Sequence, residues 1–313
     1  MTENLLMGIA SHKGTIKAKN EDSFLHLVES DGRGAEIALF VVADGMGGYE
    51  IGEIASNHAI SEIKNWWDKR ILKIMKRKEP LTRMMKEGES KIRQINQSLN
   101  VLAKQMGKKM GTTLSLLVLY KGSYLILHIG DSRIYHLRNW QFGINEGFSA
   151  SIKNVKNFND IQQQNTVSLQ NEPELLKLTE DHSWVGKQVQ QGLLDEEGAR
   201  NHPKRNVLTQ CLGIENEVTP YSHEGNYESN DLFLVCSDGF YSLFSNEEIK
   251  NMLMSLEKEY GDLQAISDYL INFSNFTETH DNLTLMLIRN QYKPEIQLDS
   301  KEGLFSFLKG RSS

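Results

Sequence analysis

Four aspartates stand where chemistry could be done. Asp44 follows the apolar run Phe40-Val41-Val42-Ala43, Asp131 follows Leu127-His128-Ile129-Gly130, and Asp238 follows Phe233-Leu234-Val235-Cys236-Ser237. Each sits at the C-terminal end of a segment that reads as a buried β-strand. Asp281, by contrast, opens the strand-like run from Leu283 to Ile288. If that run lies antiparallel to its neighbours, its start falls at the same sheet edge as the other strands' ends, and the four carboxylates converge. Like charges cannot gather there without a compensating cation. Carboxylate oxygens with a glycine carbonyl and water suit a hard divalent ion, Mg²⁺ or Mn²⁺; the His and Cys ligands usual for zinc are not clustered. The chemistry would be metal-assisted hydrolysis, in which bound ions lower the pKa of water and neutralise charge on a phosphoryl group. Taken singly, each aspartate reads as a turn residue, because Asp-Gly and Asp-Ser are ordinary chemistry after a strand. The metal reading rests on the four together.

The elements that must position them follow from periodicity. Glu36–Ala43 is an apolar run ending in a glycine-rich turn, Asp44-Gly45-Met46-Gly47-Gly48. A helix begins near Gly52, with Ile54, Ala55, Ala59, Ile63, Trp66 and Trp67 recurring at threes and fours; a second follows Pro80, with Ile92, Ile95, Leu99, Leu102 and Met106 on one stripe. The stripes last barely two heptads, so packing on a sheet is preferred to a coiled coil. Thr112–Tyr120 and Ser123–Ile129 are separated by Lys121-Gly122, which is hairpin spacing. Antiparallel neighbours argue against a doubly wound parallel sheet. Further strands are expected at Ser132–Leu137, Asp231–Cys236 and Leu283–Ile288. Helices are expected at Trp184–Leu194, Asp195–Asn201, Asn246–Leu256 and Leu263–Phe273, the third opening with a capping-box pattern from Ser245 to Glu248. Asn139–Pro173, rich in Asn, Gln and Ser, reads as a mobile polar insertion. The tail beyond Asn290, with Leu304, Phe305, Phe307 and Leu308 near Lys309 and Arg311, is expected to dock on its own domain, with a partner or a membrane surface as alternatives.

The chain has 313 residues, 39% hydrophobic and 24% charged, with 35 basic against 41 acidic side chains and a net charge of −6. That balance excludes a molecule built as a whole to wrap nucleic acid. Cys211 and Cys236, far apart and each in apolar context, read as core residues of a protein in a reducing compartment. No signal peptide or spanning segment is visible, so a cytoplasmic protein is expected.

The ordered motifs Asn20-Glu21-Asp22-Ser23, Ala43-Asp44-Gly45-Met46-Gly47-Gly48, Gly111-Thr112-Thr113, Gly130-Asp131-Ser132-Arg133, Leu178-Thr179-Glu180-Asp181-His182-Ser183, Asn201-His202-Pro203, Ser237-Asp238-Gly239 and Asp281-Asn282 carry a resemblance. From about Leu5 to Ile288 the chain resembles the bacterial metal-dependent serine/threonine phosphatases of the protein phosphatase 2C family. The resemblance implies an α+β fold, a four-layer α-β-β-α sandwich of two mostly antiparallel sheets flanked by helices. It implies a catalytic domain over residues 1–290, with the insertion at 139–173, a flap at 178–206 and a tail at 291–313. Two divalent ions, Mn²⁺ or Mg²⁺, would be held by Asp44 as a bridge, the Gly45 carbonyl, Asp238 and Asp281. Asp131 would hold a third ion with Asp238. Glu21 and Asp22 would orient metal-bound waters, the alternative for each being a helix or turn cap. A water bridging the two ions would attack phosphoserine or phosphothreonine phosphorus in line, without a phosphoenzyme. The expected partner is a phosphorylated protein, a Ser/Thr kinase or its targets, with no nucleic acid and no membrane span, and the chain is expected to be monomeric. The alternative is a pseudophosphatase that binds phosphoproteins without turnover.

Two departures matter. Family members usually carry an arginine three residues before the Asn of Asn-Glu-Asp, gripping the substrate phosphate; here the residue is Lys17, which keeps the charge and loses the fork. Lys19 is a rival for that contact. Met46 takes the slot of a histidine proposed as general acid in eukaryotic relatives, and methionine has no proton to give. His182 and His202 lie in the flap. The basic run Lys69, Arg70, Lys73, Lys76, Arg77 and Lys78 reads as a solvated helix end or as a docking patch for an acidic phosphoprotein.

Overall fold

The computed structural model describes residues 4–47, 51–139, 172–276 and 281–291. The insertion and tail expected from sequence lie mostly, and the tail beyond residue 291 wholly, outside the described residues. Two five-stranded sheets form the centre. One has the order β1 (Asn4–His12), β12 (Leu283–Gln291), β11 (Leu232–Cys236), β8 (Arg133–Arg138), β9 (Glu174–Lys177). The other has the order β10 (Tyr221–Asn226), β7 (Ser123–Ile129), β6 (Leu114–Tyr120), β3 (Glu36–Ala43), β2 (Ser23–Ser30). Every pairing is antiparallel.

The layers follow from the two-residue period of the strands. In β3, Ile37, Leu39, Val41 and Ala43 face outward, onto helices α1 (Ile51–Ile74) and α2 (Pro80–Met106), while Ala38, Phe40 and Val42 face the other sheet. In β11, Phe233 and Val235 meet them, and Leu232, Leu234 and Cys236 turn outward. That second outer face is covered by α6 (Asn246–Tyr260) and α7 (Leu263–Phe276). Short helices α3 (Trp184–Gln190) and α4 (Glu196–Asn201) form the flap, and α5 (Asp238–Tyr241) follows β11. The result is the expected helix-sheet-sheet-helix sandwich.

Helix boundaries have local causes. Pro80 opens α2, and Gly107 closes it in the left-handed region at φ 64°. Ser245 and Glu248 form the expected capping box at the start of α6. The helix expected to reach Leu194 stops at Gln190, just before Gly192 takes a positive φ, and Asp195 caps α4 through Gly198 N–H rather than joining it.

Two expectations near the site are corrected. The glycine-rich turn after Asp44 contains a two-residue strand, β4 (Gly45–Met46), paired with β5 (Gly111–Thr112). The single strand expected over Thr112–Tyr120 is broken at Thr113, which is drawn to Asp44 instead.

Phe40 is fully buried between the sheets. Phe40→Ala should lower unfolding free energy by about 3–5 kcal/mol; urea denaturation reads the loss, and a change under about 1 kcal/mol would mean that the inter-sheet layer refills the space.

Candidate metal centre

The antiparallel register brings the aspartates to one edge. Cys236 at the end of β11 pairs with Leu285 near the start of β12 and with Arg133 at the start of β8. Asp238, Asp281 and Asp131 therefore leave the first sheet on the same side, and Asp44 leaves β3 of the second sheet beside them. The carboxyls of Asp44 and Asp238 lie close enough to interact directly.

Neutral groups hold the edge together. Thr113 accepts the Asp44 N–H at 2.9 Å, while the Asp44 carbonyl accepts from Thr113 N–H and Thr112 Oγ1, each at 2.9 Å. Thr113 in turn meets Ser132, next to Asp131, at 2.7 Å. Asn282 accepts the Glu21 N–H at 2.9 Å and donates to the Lys13 and Lys19 carbonyls, tying the Glu21–Asp22 loop to the residue after Asp281. Ser237 donates to Asp22 Oδ2 at 2.8 Å. Two glycines are demanded by close approach: a Cβ at Gly45 would stand 2.1 Å from the Gly52 carbonyl oxygen, and one at Gly239 would stand 2.0 Å from that of Asn282.

Charge is poorly balanced here. Burial, and then the charges of Asp22, Asp238, Asp131 and Asp281, push the Asp44 carboxyl well above its ordinary range. Burial and Asp281 push Asp238 up to about 6, burial raises Asp22 to about 7, and burial with Asp238 raises Asp131 strongly. Lys17 answers part of this. Its Nζ lies 3.0 Å from Asp281 Oδ1. Burial lowers its pKa, yet the hydrogen bond to Asp281 and the charges of Asp281, Glu21 and Asp44 leave it raised. Lys19 instead pairs with Glu53 at 3.6 Å.

The donor set fits a hard divalent cation. All donors are oxygens, and Glu21 Oε1, Asp22 Oδ1 and Asp238 Oδ1 are buried with no hydrogen-bond partner among the described residues. Asp22 is tied by its other oxygen to Ser237, and Glu21 Oε1 lies beside Gly52 in the first turn of α1. Among the described residues, no three His, Cys, Asp or Glu side chains stand close enough to enclose an ion by themselves. The arrangement is an open edge that leaves coordination to a backbone carbonyl and water as well.

Beside this edge lies a cavity of about 320 Å³ that reaches both Asp131 and Asp238 and is roofed by Val185 and Val189 of α3 and by Arg200 and Arg205. The flap is pinned at its root by Arg133, which forks onto Asp181 at 2.6–3.2 Å and stacks over the Tyr241 ring at 3.8 Å. His182 N–H donates to the Gly130 carbonyl at 2.7 Å, and Gly130 N–H donates back to His182 Nδ1 at 3.1 Å. Burial depresses the His182 pKa, which keeps that nitrogen an acceptor. His202 stacks on Trp184. The roles of Thr112, Thr113, Asn282, Ser237, Arg133 and His182 were not read from sequence, although each lies in a quoted motif.

The sequence profile described as Protein phosphatase 2C matches residues 12–286. The chain belongs to the protein phosphatase 2C family. Among its relatives, the serine/threonine phosphatase stp of Listeria welshimeri is 29% identical over 278 residues, covering 88% of this chain and 92% of that protein. The solved serine/threonine phosphatase of S. agalactiae is 26% identical, with a TM-score of 0.71 over 91% of this chain and 99% of that one. A catalytic domain of the phosphatase PstP, solved in complex with two manganese ions, shares the fold at 23% identity and a TM-score of 0.65, covering 93% of this chain and 100% of that one. The family is metal-dependent, and the all-oxygen edge described above fits such an ion.

A carboxyl whose folded pKa lies above its unfolded value is neutral in its effect while both states are protonated, and destabilises the fold as pH rises through the folded value. For Asp22 and Asp238 the window runs from about pH 4 to about pH 7. In chelator, the melting temperature should therefore fall by several degrees between pH 5.5 and 8, and Mn²⁺ should remove most of that fall. A flat profile in chelator would show that the carboxylates do not repel.

Proposed function

We propose that this protein removes phosphate from phosphoserine and phosphothreonine in protein substrates, with Mn²⁺ or Mg²⁺ bound at the carboxylate edge. The observation that carries the reading is the convergence of Asp44, Asp131, Asp238 and Asp281 on one edge, with Lys17 among them and a cavity alongside. Family membership and the named activities of the relatives support the same reaction.

Asp44, the Gly45 carbonyl, Asp238 and Asp281 would hold two ions, and Asp131 with Asp238 would hold a third. When bound, such ions lower the pKa of water and neutralise charge on the phosphoryl group. The chain's own residues place them. Thr112 and Thr113 fix the Asp44 backbone, Asn282 fixes the Glu21 loop, and Glu21 and Asp22 accept hydrogen bonds from water at the edge. Lys17 binds the substrate phosphate. Its reach to Asp281 puts its ammonium at the carboxylate edge, and its 39% exposed side chain is free to exchange that partner for an incoming phosphate. Met46 offers no proton, His182 is held on Gly130, and His202 is stacked on Trp184. Water at the edge would supply the proton to the departing alkoxide. No helix among the described residues is long and apolar enough to cross a membrane, and both cysteines are buried free thiols. The protein acts as a monomer in a reducing cytoplasm and opposes a Ser/Thr kinase.

The decisive assay is phosphate release from a phosphothreonine peptide in Mn²⁺ or chelator, beside Asp238→Asn. Turnover should need the metal and fall more than about 100-fold in the variant. Absence of turnover in folded, metal-loaded protein would instead establish a phosphoprotein-binding pseudophosphatase, and a large kcat/KM preference for a small phosphorylated metabolite would overturn the protein substrate.

Lys17→Arg should lower KM roughly two- to five-fold, with a smaller rise in kcat, because the guanidinium restores a two-bond grip. Steady-state kinetics on the same peptide decide this. If neither constant moves, Lys17 is not at the phosphate.

A further inference from the structure

The turn between α1 and α2 concentrates positive charge in an otherwise acidic chain. Residues 69–86 hold eight of the 35 Lys and Arg side chains, against one of the 41 acidic ones. Lys69, Lys73, Lys76, Arg77, Lys78, Arg83 and Lys86 are all exposed. The carboxylate partners placed here are few among the described residues: Arg70 and Arg83 share Glu87, at 2.8 and 2.6 Å. Lys69, Lys73, Lys76, Arg77, Lys78 and Lys86 project without an ion-pair partner among the described residues. Leu72, 55% exposed, stands in their midst.

The patch also lies far from the catalytic edge. α1 begins against Gly45, where Gly52 meets the Gly45 carbonyl, and runs 24 residues, or about 36 Å, to the turn. A phosphate at the carboxylate edge cannot touch these side chains.

We infer that this helical tip is a peripheral docking surface for an anionic lipid membrane, which holds the protein with its catalytic edge turned toward solution. Three features select a lipid surface over an acidic protein. The cations are mainly lysines, which are depleted from the cores of protein interfaces but suit a diffuse layer of anionic headgroups. The depression among them is open to solvent and lined by Arg77, Lys78, Glu79, Thr82, Arg83 and Lys86, with no aromatic anchor of the kind that dominates protein hot spots. Leu72 offers an apolar contact at the centre of the charge, as interfacial helices do. The binding is electrostatic, reversible and independent of the phosphatase reaction.

The test is co-sedimentation of the protein with vesicles of phosphatidylcholine alone or with about 30 mol% phosphatidylglycerol, at roughly 50 and 300 mM NaCl. Binding should require the anionic lipid and weaken at high salt. The combined variant Lys73→Glu, Lys76→Glu, Arg77→Glu, Lys78→Glu should lose about ten-fold or more in vesicle affinity, while its activity on a soluble phosphopeptide stays unchanged and shows that it is folded. Leu72→Asn should weaken vesicle binding without altering its salt dependence. Equal binding to neutral and anionic vesicles, or wild-type binding by the four-site variant, overturns the proposal. Retention on an acidic polypeptide column without vesicle binding also overturns it, and assigns the tip to protein docking.

Discussion

Carboxylates that repel one another must be held at one sheet edge before any ion arrives, and the rest of the structure answers to that constraint. A cation built permanently among them would relieve the repulsion but compete with the ions the family requires. The fold uses neutral donors and acceptors instead. Thr112 and Thr113 hold the Asp44 backbone, Asn282 holds the loop of Glu21, and Ser237 holds Asp22. Each of these groups is itself buried, so its hydrogen bonds form away from competing water and keep their geometry. Burial, and after it the neighbouring carboxylates, raise the pKa values of Asp22, Asp44 and Asp238, so these contacts hold the groups together against both. Lys17 is the exception, and it sits on a long, partly exposed side chain that can leave.

What could be read from sequence divides along the sheets. The six strands anticipated are β3, β6, β7, β8, β11 and β12, the interior strands of the two sheets. Their two faces are both covered, so they appear as unbroken apolar runs such as Phe40-Val41-Val42-Ala43. Within the two five-stranded sheets, the four strands not anticipated, β1, β2, β9 and β10, are the four edges. In β10, Tyr-Ser-His-Glu-Gly-Asn offers no apolar run, and β2 alternates between partial burial and exposure. β1 is interrupted by Gly8, where a Cβ would stand 2.0 Å from the Leu263 carbonyl oxygen at the start of α7. Convergence of the aspartates was legible because it needed only the interior strands and one assumption, that β12 runs antiparallel. The clamps were not, because a Thr or Asn shows its donors in sequence but never its partner: Glu21 and Asn282 are 261 positions apart.

The flap belongs to the same argument. Gly130 and Asp131 form the turn between β7 and β8, and that turn is bonded through both backbone groups of Gly130 to His182 at the flap root. Arg133, two residues on, forks onto Asp181. Asp131 and the flap therefore share one support, and displacement of one strains the other. The cavity beside them is lined by Asp131 and Asp238 and also by Arg200 and Arg205. On the proposed reading, a substrate side chain adjoining the phosphorylated residue would lie in it, so a change at Asp131 and a change in substrate preference are expected to travel together.

Charge also orders the events at the edge. A phosphorylated residue carries nearly two negative charges near neutral pH, and it approaches an edge already crowded with Asp44, Asp131, Asp238 and Asp281. With Lys17 held by Asp281, the ion-free edge repels such a ligand. Once divalent ions take those carboxylates, on the proposed reading, the local sign reverses and Lys17 is released from Asp281 toward the phosphate. Metal binding must then precede productive substrate binding, and the two are coupled through the lysine. Arginine at this position would grip phosphate more firmly, but its two-bond fork would also grip Asp281 more firmly in the ion-free state. Lysine, a point charge with a single contact, trades strength at the phosphate for easier surrender of the carboxylate to the ion.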